Sequence, residues 1–316
     1  MKLLKETKEW LMAAPEPYIR FQSQRLLSPK KADPGLLDGD PFIRANLKAV
    51  SGWRKEVLSR HDKPDLFIHR LAMLADLGVT CKTAGAGPVV ESLLENIAAD
   101  GTFRQNIMIP QAFGGSGKAH PDWIICDLPL VVYALLAMTD GDPRLRSALK
   151  KLRGLCGESF YPCCGSIPKF TGPGPRNGMC PYANLLAARA LAADPAGRKS
   201  PQAELAAKAV LDHWTHRRTK KPFLFGMGTD FLKLKFPMVW YNILHVVSAL
   251  KRIPGVADDG RFLQMARRMR GKLDASGRAT PESIYRVYKN EEWSDKKNPS
   301  RLLTVMVHRA LSGIEA

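Results

Sequence analysis

No stretch of this chain reaches about 18 uninterrupted apolar residues, the rough minimum for a helix that crosses a bilayer. The opening MKLLKETKEWLMAAPEPYIR carries charges where a secretion signal needs an apolar centre. Both absences predict a soluble cytoplasmic protein with no membrane span. Alternation of β-branched and polar residues over strand lengths is nearly missing too, so a sheet has little to be built from. Acidic residues are scarce beside basic ones: 30 Asp and Glu face 48 Lys and Arg, a formal charge of +18. That excess suits nucleic acid, anionic headgroups or phosphorylated small molecules without choosing among them. The basic runs HRRTKK (216–221), RRMRGK (267–272) and DKKNP (295–299) are dispersed, as on solvated helix faces. Six cysteines are too few for a disulfide scaffold, and in the cytoplasm they stay reduced, either packed or chemically active. Cys81 and Cys156 stand alone and read as packing residues, which leaves Cys126, Cys163, Cys164 and Cys180.

What is present is a long internal repeat. With 45% hydrophobic residues in 316, the chain can bury a large core. Strongly apolar helical segments begin at Asp65 (DLFIHRLAMLADLG), Cys126 (CDLPLVVYALLAMTDG), Cys180 (CPYANLLAARALA), Pro237 (PMVWYNILHVVSAL) and Ser300 (SRLLTVMVHRAL). These starts are 61, 54, 57 and 63 residues apart. Between them lie amphipathic segments with apolar residues at helical spacing: DPFIRANLKAVSGWRKEVLSR, PVVESLLENI, DPRLRSALKKL, SPQAELAAKAVLDHW and DGRFLQMARRM. Several open on Asp or Ser followed by Pro, the pattern of a capped helix N-terminus. The chain is therefore predicted to be an all-α series of helical hairpins forming one domain over residues 1–316. The period exceeds the roughly 40 to 47 residues of HEAT and armadillo repeats. An apolar helix alternating with an amphipathic one suits two concentric layers, because the inner helix touches neighbours on nearly every side.

The recurring DGTF (Asp100 to Phe103), then a cysteine and an apolar helix, then DGDPRLRSALKKL, resembles the hairpin of the terpenoid cyclase and protein prenyltransferase superfamily. The resemblance runs from about Asp40 to Ala310 and is to a divergent prenyltransferase-like or squalene-cyclase-like protein of bacterial type. It implies an α/α toroid of five to six hairpins, with N-terminal helices within residues 1–39 completing or flanking the barrel. In such a toroid the inner helices run the same way and their N-terminal ends collect at one mouth. Cys126 and Cys180 then become neighbours, and the loop FYPCCGSIPKFTGPGPRNGMCP brings Cys163 and Cys164 to the same rim. Convergent thiolates suit zinc, and members of the superfamily hold a catalytic zinc there. The resemblance carries Cys126 and Cys180 over as ligands, with Cys164 or Cys163 third and His120, Asp122 or His245 as candidates for a fourth. The pattern departs from the family's: no Asp stands two before the cysteine, and Cys180 is followed by Pro181 rather than His. Cysteine is also among the most buried residue types, so packing is the competing reading. The closely spaced cysteine runs of iron–sulfur proteins are absent.

FGMGTDFLKLKFPMVWYNILHVV places Asp230, Lys233, Lys235, Trp240, Tyr241 and His245 near or inside the barrel. Trp240 and Tyr241 suit an apolar cavity, while Lys233 and Lys235, with Tyr285 and Arg286 from the last long loop, suit a basic rim for an anionic substrate. FGGSGKAHPDW (113–123) lacks the spacing of a phosphate-binding loop, and its His120 and Asp122 read as turn and helix-capping residues that also reach towards a metal. No catalytic residue is identified; His120, Asp122, Asp230 and His245 are the candidates. The Asp-x-Asp-Asp acid motif of squalene-hopene cyclases and an Asp-rich magnesium site are both missing, which argues against a standard terpene cyclase. A zinc-dependent transferase or lyase acting on an apolar or isoprenoid-like substrate is the preferred expectation. The alternative is a non-catalytic helical scaffold that binds nucleic acid or a protein through its basic surface.

Overall fold

A computed structural model describes residues 3–172, 174, 178–219, 222 and 225–315. In chain order the helices and strands are α1 (Lys5–Met12), α2 (Pro17–Leu27), α3 (Pro41–Ser51), α4 (Phe67–Asp76), α5 (Gly87–Leu94), β1 (Gln105–Met108), β2 (Ala119–Asp122), α6 (Leu128–Thr139) and α7 (Leu145–Gly154). After these come α8 (Pro181–Ala193), α9 (Pro201–Thr215), α10 (Thr229–Leu232), α11 (Ile243–Leu250), α12 (Gly260–Arg270) and α13 (Arg301–Leu311). The fold is thus predominantly helical, and no described helix is long and apolar enough to cross a membrane.

Two kinds of helix alternate. In α3, α7 and α12 the buried residues fall at i, i+3, i+4 and i+7: Ile43, Asn46, Leu47 and Val50; Leu145, Ala148, Leu149 and Leu152; Phe262, Met265, Ala266 and Met269. One stripe meets the core, and the lysines and arginines stand on the remaining surface. Each large apolar side chain in such a stripe contributes roughly 2 kcal/mol by leaving water. In α8, by contrast, every residue from Pro181 to Ala192 is buried, because helices pack on several sides of it. Asp40 accepts from the backbone N–H groups of Phe42 and Ile43 at 2.9 and 3.1 Å, Ser200 from Ala203 at 3.3 Å, and Ser300 from Leu303 at 3.0 Å. These bonds satisfy donors that a helix start otherwise leaves orphaned.

The apolar helices pack in succession, α4 on α6, α6 on α8, α8 on α11, α11 on α13 and α13 on α2. Gln22 of α2 donates from Nε2 to the Leu77 carbonyl at the end of α4, at 2.5 Å. The amphipathic helices lie against them: α3 on α4, α5 and α7 on α6, α9 on α8, α12 on α11 and α13, and α1 on α2 and α13.

Three expectations need correction. A small antiparallel hairpin is present: β1 and β2 pair Gln105 with Asp122 and Ile107 with His120. Its signal is weak because only β1 alternates, with Gln105 and Ile107 buried, whereas β2 is mostly exposed. His120 and Asp122 therefore stand on a strand and do not cap α6, which begins at Leu128. Likewise α11 begins at Ile243, where Asn242 caps it through the His245 N–H at 3.0 Å, rather than at Pro237.

The DGTF turn after α5 shows why its residues recur. Asp100 accepts from the Thr102 N–H at 3.0 Å and from its hydroxyl at 2.6 Å, Gly101 takes φ +81°, and Phe103 is wholly buried against Trp53 and Phe67. A related turn follows α12, where Asp274 accepts from Ser276 and Arg278 and Gly277 takes φ +77°. A methyl group on Gly101 would lie 2.2 Å from the Ser147 carbonyl oxygen, whereas one on Gly255, at φ +79°, meets nothing within 4 Å. Urea unfolding followed by circular dichroism should therefore show Gly255→Ala destabilised by about 1–2 kcal/mol and Gly101→Ala by at least about twice that. Equal losses would mean that left-handed strain alone, without the close approach, governs the turn.

Candidate functional site

Three segments deliver the remaining cysteines to one place. The 162–166 segment is pinned on one side to the approach to α6: the Ile125 N–H donates to the Cys164 carbonyl and the Ser166 N–H to the Trp123 carbonyl, both at 2.9 Å. On its other side Pro162 bridges to Met179, just before α8. Gly165 permits this approach, since a Cβ there would stand 2.7 Å from the Trp123 oxygen. Cys163 and Cys164 are thereby held between Cys126 and Cys180, and all four are free thiols.

Cys180 is the N-cap of α8, and its Sγ accepts from the Ala183 N–H at 3.5 Å. The Cys163 thiol hydrogen-bonds to it as well. That bond most of all, then the Ala183 and Tyr182 N–H groups, lowers the Cys180 pKa against the opposing effect of burial. The same bond, followed by burial, pushes Cys163 up. Burial, and then the neighbouring Cys180, Asp127 and Cys164, raise Cys126, while Cys164 is pushed up to about 11 by burial. The cluster is thus three thiols around one position suited to a thiolate.

Next to Cys126, the Asp127 carboxylate is wholly buried. One of its oxygens meets Nε2 of His61, and Oδ2 has no partner. Burial opposes charge on His61, but the Asp127 carboxylate outweighs it and raises the pKa. The His61 carbonyl in turn accepts from His69 Nε2 at 2.8 Å. Burial drives His69 down to about 3, which keeps that ring neutral.

Deeper between the apolar helices, one Arg189 nitrogen donates to both Asp76 oxygens at 2.5 and 2.6 Å, and the Tyr133 hydroxyl donates to Asp76 at 2.5 Å. Arg189 also lies 4.0 Å from the Tyr133 ring centroid and donates to His245 Nε2 at 3.0 Å. His245 accepts through that nitrogen and so donates from Nδ1 to the Trp240 carbonyl, at 3.1 Å. It is a satisfied core histidine and not a neighbour of the thiols.

A cleft of about 410 Å³ opens beside the thiol cluster, lined by Arg217, Phe225, Asp230, Phe231, Trp240 and Tyr241 among others. Tyr182 joins the two features: two residues after Cys180, its ring lies 5.6 Å from Phe225 and 4.8 Å from Trp240. Trp240, Tyr241 and Asp230 are therefore brought together as expected. The basic rim is not. Asp230 pairs with Lys233 at 3.6 Å and Lys235 at 3.7 Å, Lys235 is buried 5.3 Å from the Tyr285 ring centroid, and Arg286 is exposed. His120 and Asp122 line a separate cleft of 240 Å³, where His120 bonds to Ser116 at 2.9 Å and Asp122 to Ser166 at 2.7 Å. Among the described residues, no three His, Cys, Asp or Glu side chains are arranged as ligands of one ion. Of the basic run 216–221, Lys220 and Lys221 lie outside the described residues.

Sequence reasoning missed His61, Asp127, Asp76 and Arg189. A signal existed for the last two. Each is a charged residue in the middle or at the end of a strongly apolar segment, and a buried charge needs an opposite one. For His61, in a loop 66 residues from Asp127, no spacing rule applies. Compared with protein-family models and with curated proteins, the sequence gives no match to either.

Tyr241 has its hydroxyl 3.1 Å from Nδ1 of His213, a buried ring whose Nε2 has no partner. Burial lowers the His213 pKa to about 4. The unfolded chain takes up a proton near pH 6.5, which the folded site refuses until about pH 4, so stability falls as pH drops through that interval. Chemical unfolding between pH 7 and 4 should show a loss of at most about 3 kcal/mol from this group, reduced in His213→Gln. An unchanged pH slope in the variant would assign the acid sensitivity elsewhere.

Proposed function

We propose that the chain is a zinc-binding transferase or lyase built on a closed α/α toroid, with its ligand site at the N-terminal rim of the inner helices and an apolar or isoprenoid-like substrate in the aromatic cleft. The succession α4, α6, α8, α11, α13 and α2, with Gln22 reaching back to the end of α4, supports closure. The amphipathic helices α1, α3, α5, α7, α9 and α12 then form the outer layer of six hairpins.

The observation that carries the reading is the convergence of four thiols from three segments at the starts of α6 and α8. The donor chemistry suits a soft divalent ion: Cys126 and Cys180 with Cys163 or Cys164 would supply three sulfur ligands once their side chains turn towards one ion, and would leave a fourth position open, as catalytic zinc requires. As placed, the Cys163 thiol bonds to Cys180, so loading requires that proton to leave. Zinc, when bound, would lower thiol pKa values and polarise a substrate atom. The His61–Asp127 pair holds a proton beside Cys126, and Phe225, Phe231, Trp240 and Tyr241 exclude water from an apolar ligand.

The alternative of a basic nucleic-acid-binding scaffold draws on one crowded surface. Arg217 stacks 4.1 Å from the Trp214 ring centroid, and Arg218 and Arg268, next to burial, lower its pKa. Steep weakening of DNA or RNA binding with added salt is its signature.

Elemental mass spectrometry on reduced protein purified without a chelating tag is expected to give about one equivalent of zinc. The Cys126→Ser, Cys180→Ser double variant should lose it while keeping its helical circular dichroism. Metal-free wild-type protein that does not take up added zinc would return the cysteines to packing roles.

A further inference from the structure

The C-terminal ends of three other apolar helices, α2, α11 and α13, carry a different chemistry. Arg25 lies in the last turn of α2, Arg309 in the last turn of α13, and Lys251 and Arg252 directly follow α11. One acceptor holds two of them together: Oε1 of Gln22 receives Arg309 at 2.6 Å and Arg25 at 3.3 Å. Lys251 reaches the same place, donating to the Arg309 and Ser312 carbonyls at 2.5 and 2.9 Å. Arg25 lies over the end of α4, where Gly78 at φ +76° leaves room for it; a Cβ there would stand 2.4 Å from its guanidinium. Among the described residues, none of the four cations pairs with an acidic side chain.

Cations at helix C-termini often serve only to offset the negative end of the helix dipole. Here that accounts for part of the charge. Four helix ends meet at this place, those of α2, α4, α11 and α13, and at roughly −0.5 each they offset about two positive charges of four. Asp76, the carboxylate whose charge acts on Arg25 and Arg309, is already matched by Arg189. About two positive charges therefore stay unbalanced in a half-buried setting. Burial, then Arg309 and Arg252, lower Lys251 to about 8, and burial, then Arg309, lowers Arg25 to about 10. Arg252 is exposed, so the cluster is open to solvent.

We propose that Arg25, Lys251, Arg252 and Arg309 form a binding site for a phosphate-bearing anion with two or more negative charges. The site is at the helix ends remote from the thiols and does not depend on metal or on the aromatic cleft. Its ligand is a phosphate group, whether of a soluble ester or of a lipid headgroup.

The test is titration calorimetry of the full chain with inorganic pyrophosphate at constant ionic strength, beside sedimentation with phosphatidylcholine vesicles with and without phosphatidic acid. Saturable binding of about one equivalent is expected in at least one arm. Arg25→Gln with Arg252→Gln should weaken it at least about tenfold, whereas Arg146→Gln with Lys150→Gln on the exposed face of α7 removes the same charge and should change it less than about twofold. Pyrophosphate binding assigns a soluble ligand, and binding confined to phosphatidic acid vesicles assigns a headgroup. If Arg25→Gln fails to fold, the exposed Arg252→Gln alone carries the test and should weaken binding about threefold. No saturable binding in either arm, or equal losses in the two charge-matched variants, overturns the site.

Discussion

The buried ion pair between Asp76 and Arg189 joins four of the apolar helices at once. It brings α4 and α8 together through two short hydrogen bonds, draws in α6 through the Tyr133 hydroxyl and ring, and reaches α11 through His245. Two charges so far from water cost several kcal/mol each to desolvate, and only near-complete pairing offsets that cost. The pair is thus weak evidence of net stability but strongly restricts geometry. Removing one partner leaves an uncompensated charge, a penalty of about 3–5 kcal/mol, so the helices that meet here are held to one arrangement. His245, kept neutral by burial and by Arg189, is part of this restraint.

Starts and ends of the apolar helices differ in what they attract. At the N-terminal ends the backbone N–H groups of α8 favour negative charge, and Cys180 is placed to use them. Cys163, held by the paired segments before α6 and α8, supplies a further hydrogen bond to the same sulfur. At the C-terminal ends the carbonyl oxygens draw cations, and Arg25, Lys251 and Arg309 gather there in greater number than the dipoles offset. The proposed metal rim lies at helix starts and the proposed anion site at helix ends, where peptide dipoles favour a thiolate at the one and gather cations at the other.

Between those ends, aromatic packing defines the cleft. Tyr182 stands in the first turn of α8, so the residue that shapes the apolar wall belongs to the same turn as the thiolate-favouring N-cap. Its hydroxyl donates to the Val239 carbonyl at 2.6 Å, which ties the approach to α11 against α8. Tyr182 thus packs the turn that holds Cys180 against the Phe225 and Trp240 side of the cleft.

Local residue patterns are enough to specify the helices and their two kinds. Burial at i, i+3, i+4 and i+7 in α3, α7 and α12, and nearly complete burial in α8, follow from local periodicity and composition, because a helix's apolar stripe is set by 3.6 residues per turn. Caps at Asp40 and Ser200 were legible for the same local reason. The gathering of Cys126, Cys163, Cys164 and Cys180 was legible only through a resemblance of repeats. Tertiary structure alone decided the partners: His61 with Asp127, Asp76 with Arg189, and Asp230 with the lysines expected to form an open rim. Such pairs depend on which helix ends meet in space, and a side chain's charge is satisfied by whatever stands within about 3 Å of it, not by its neighbours along the chain.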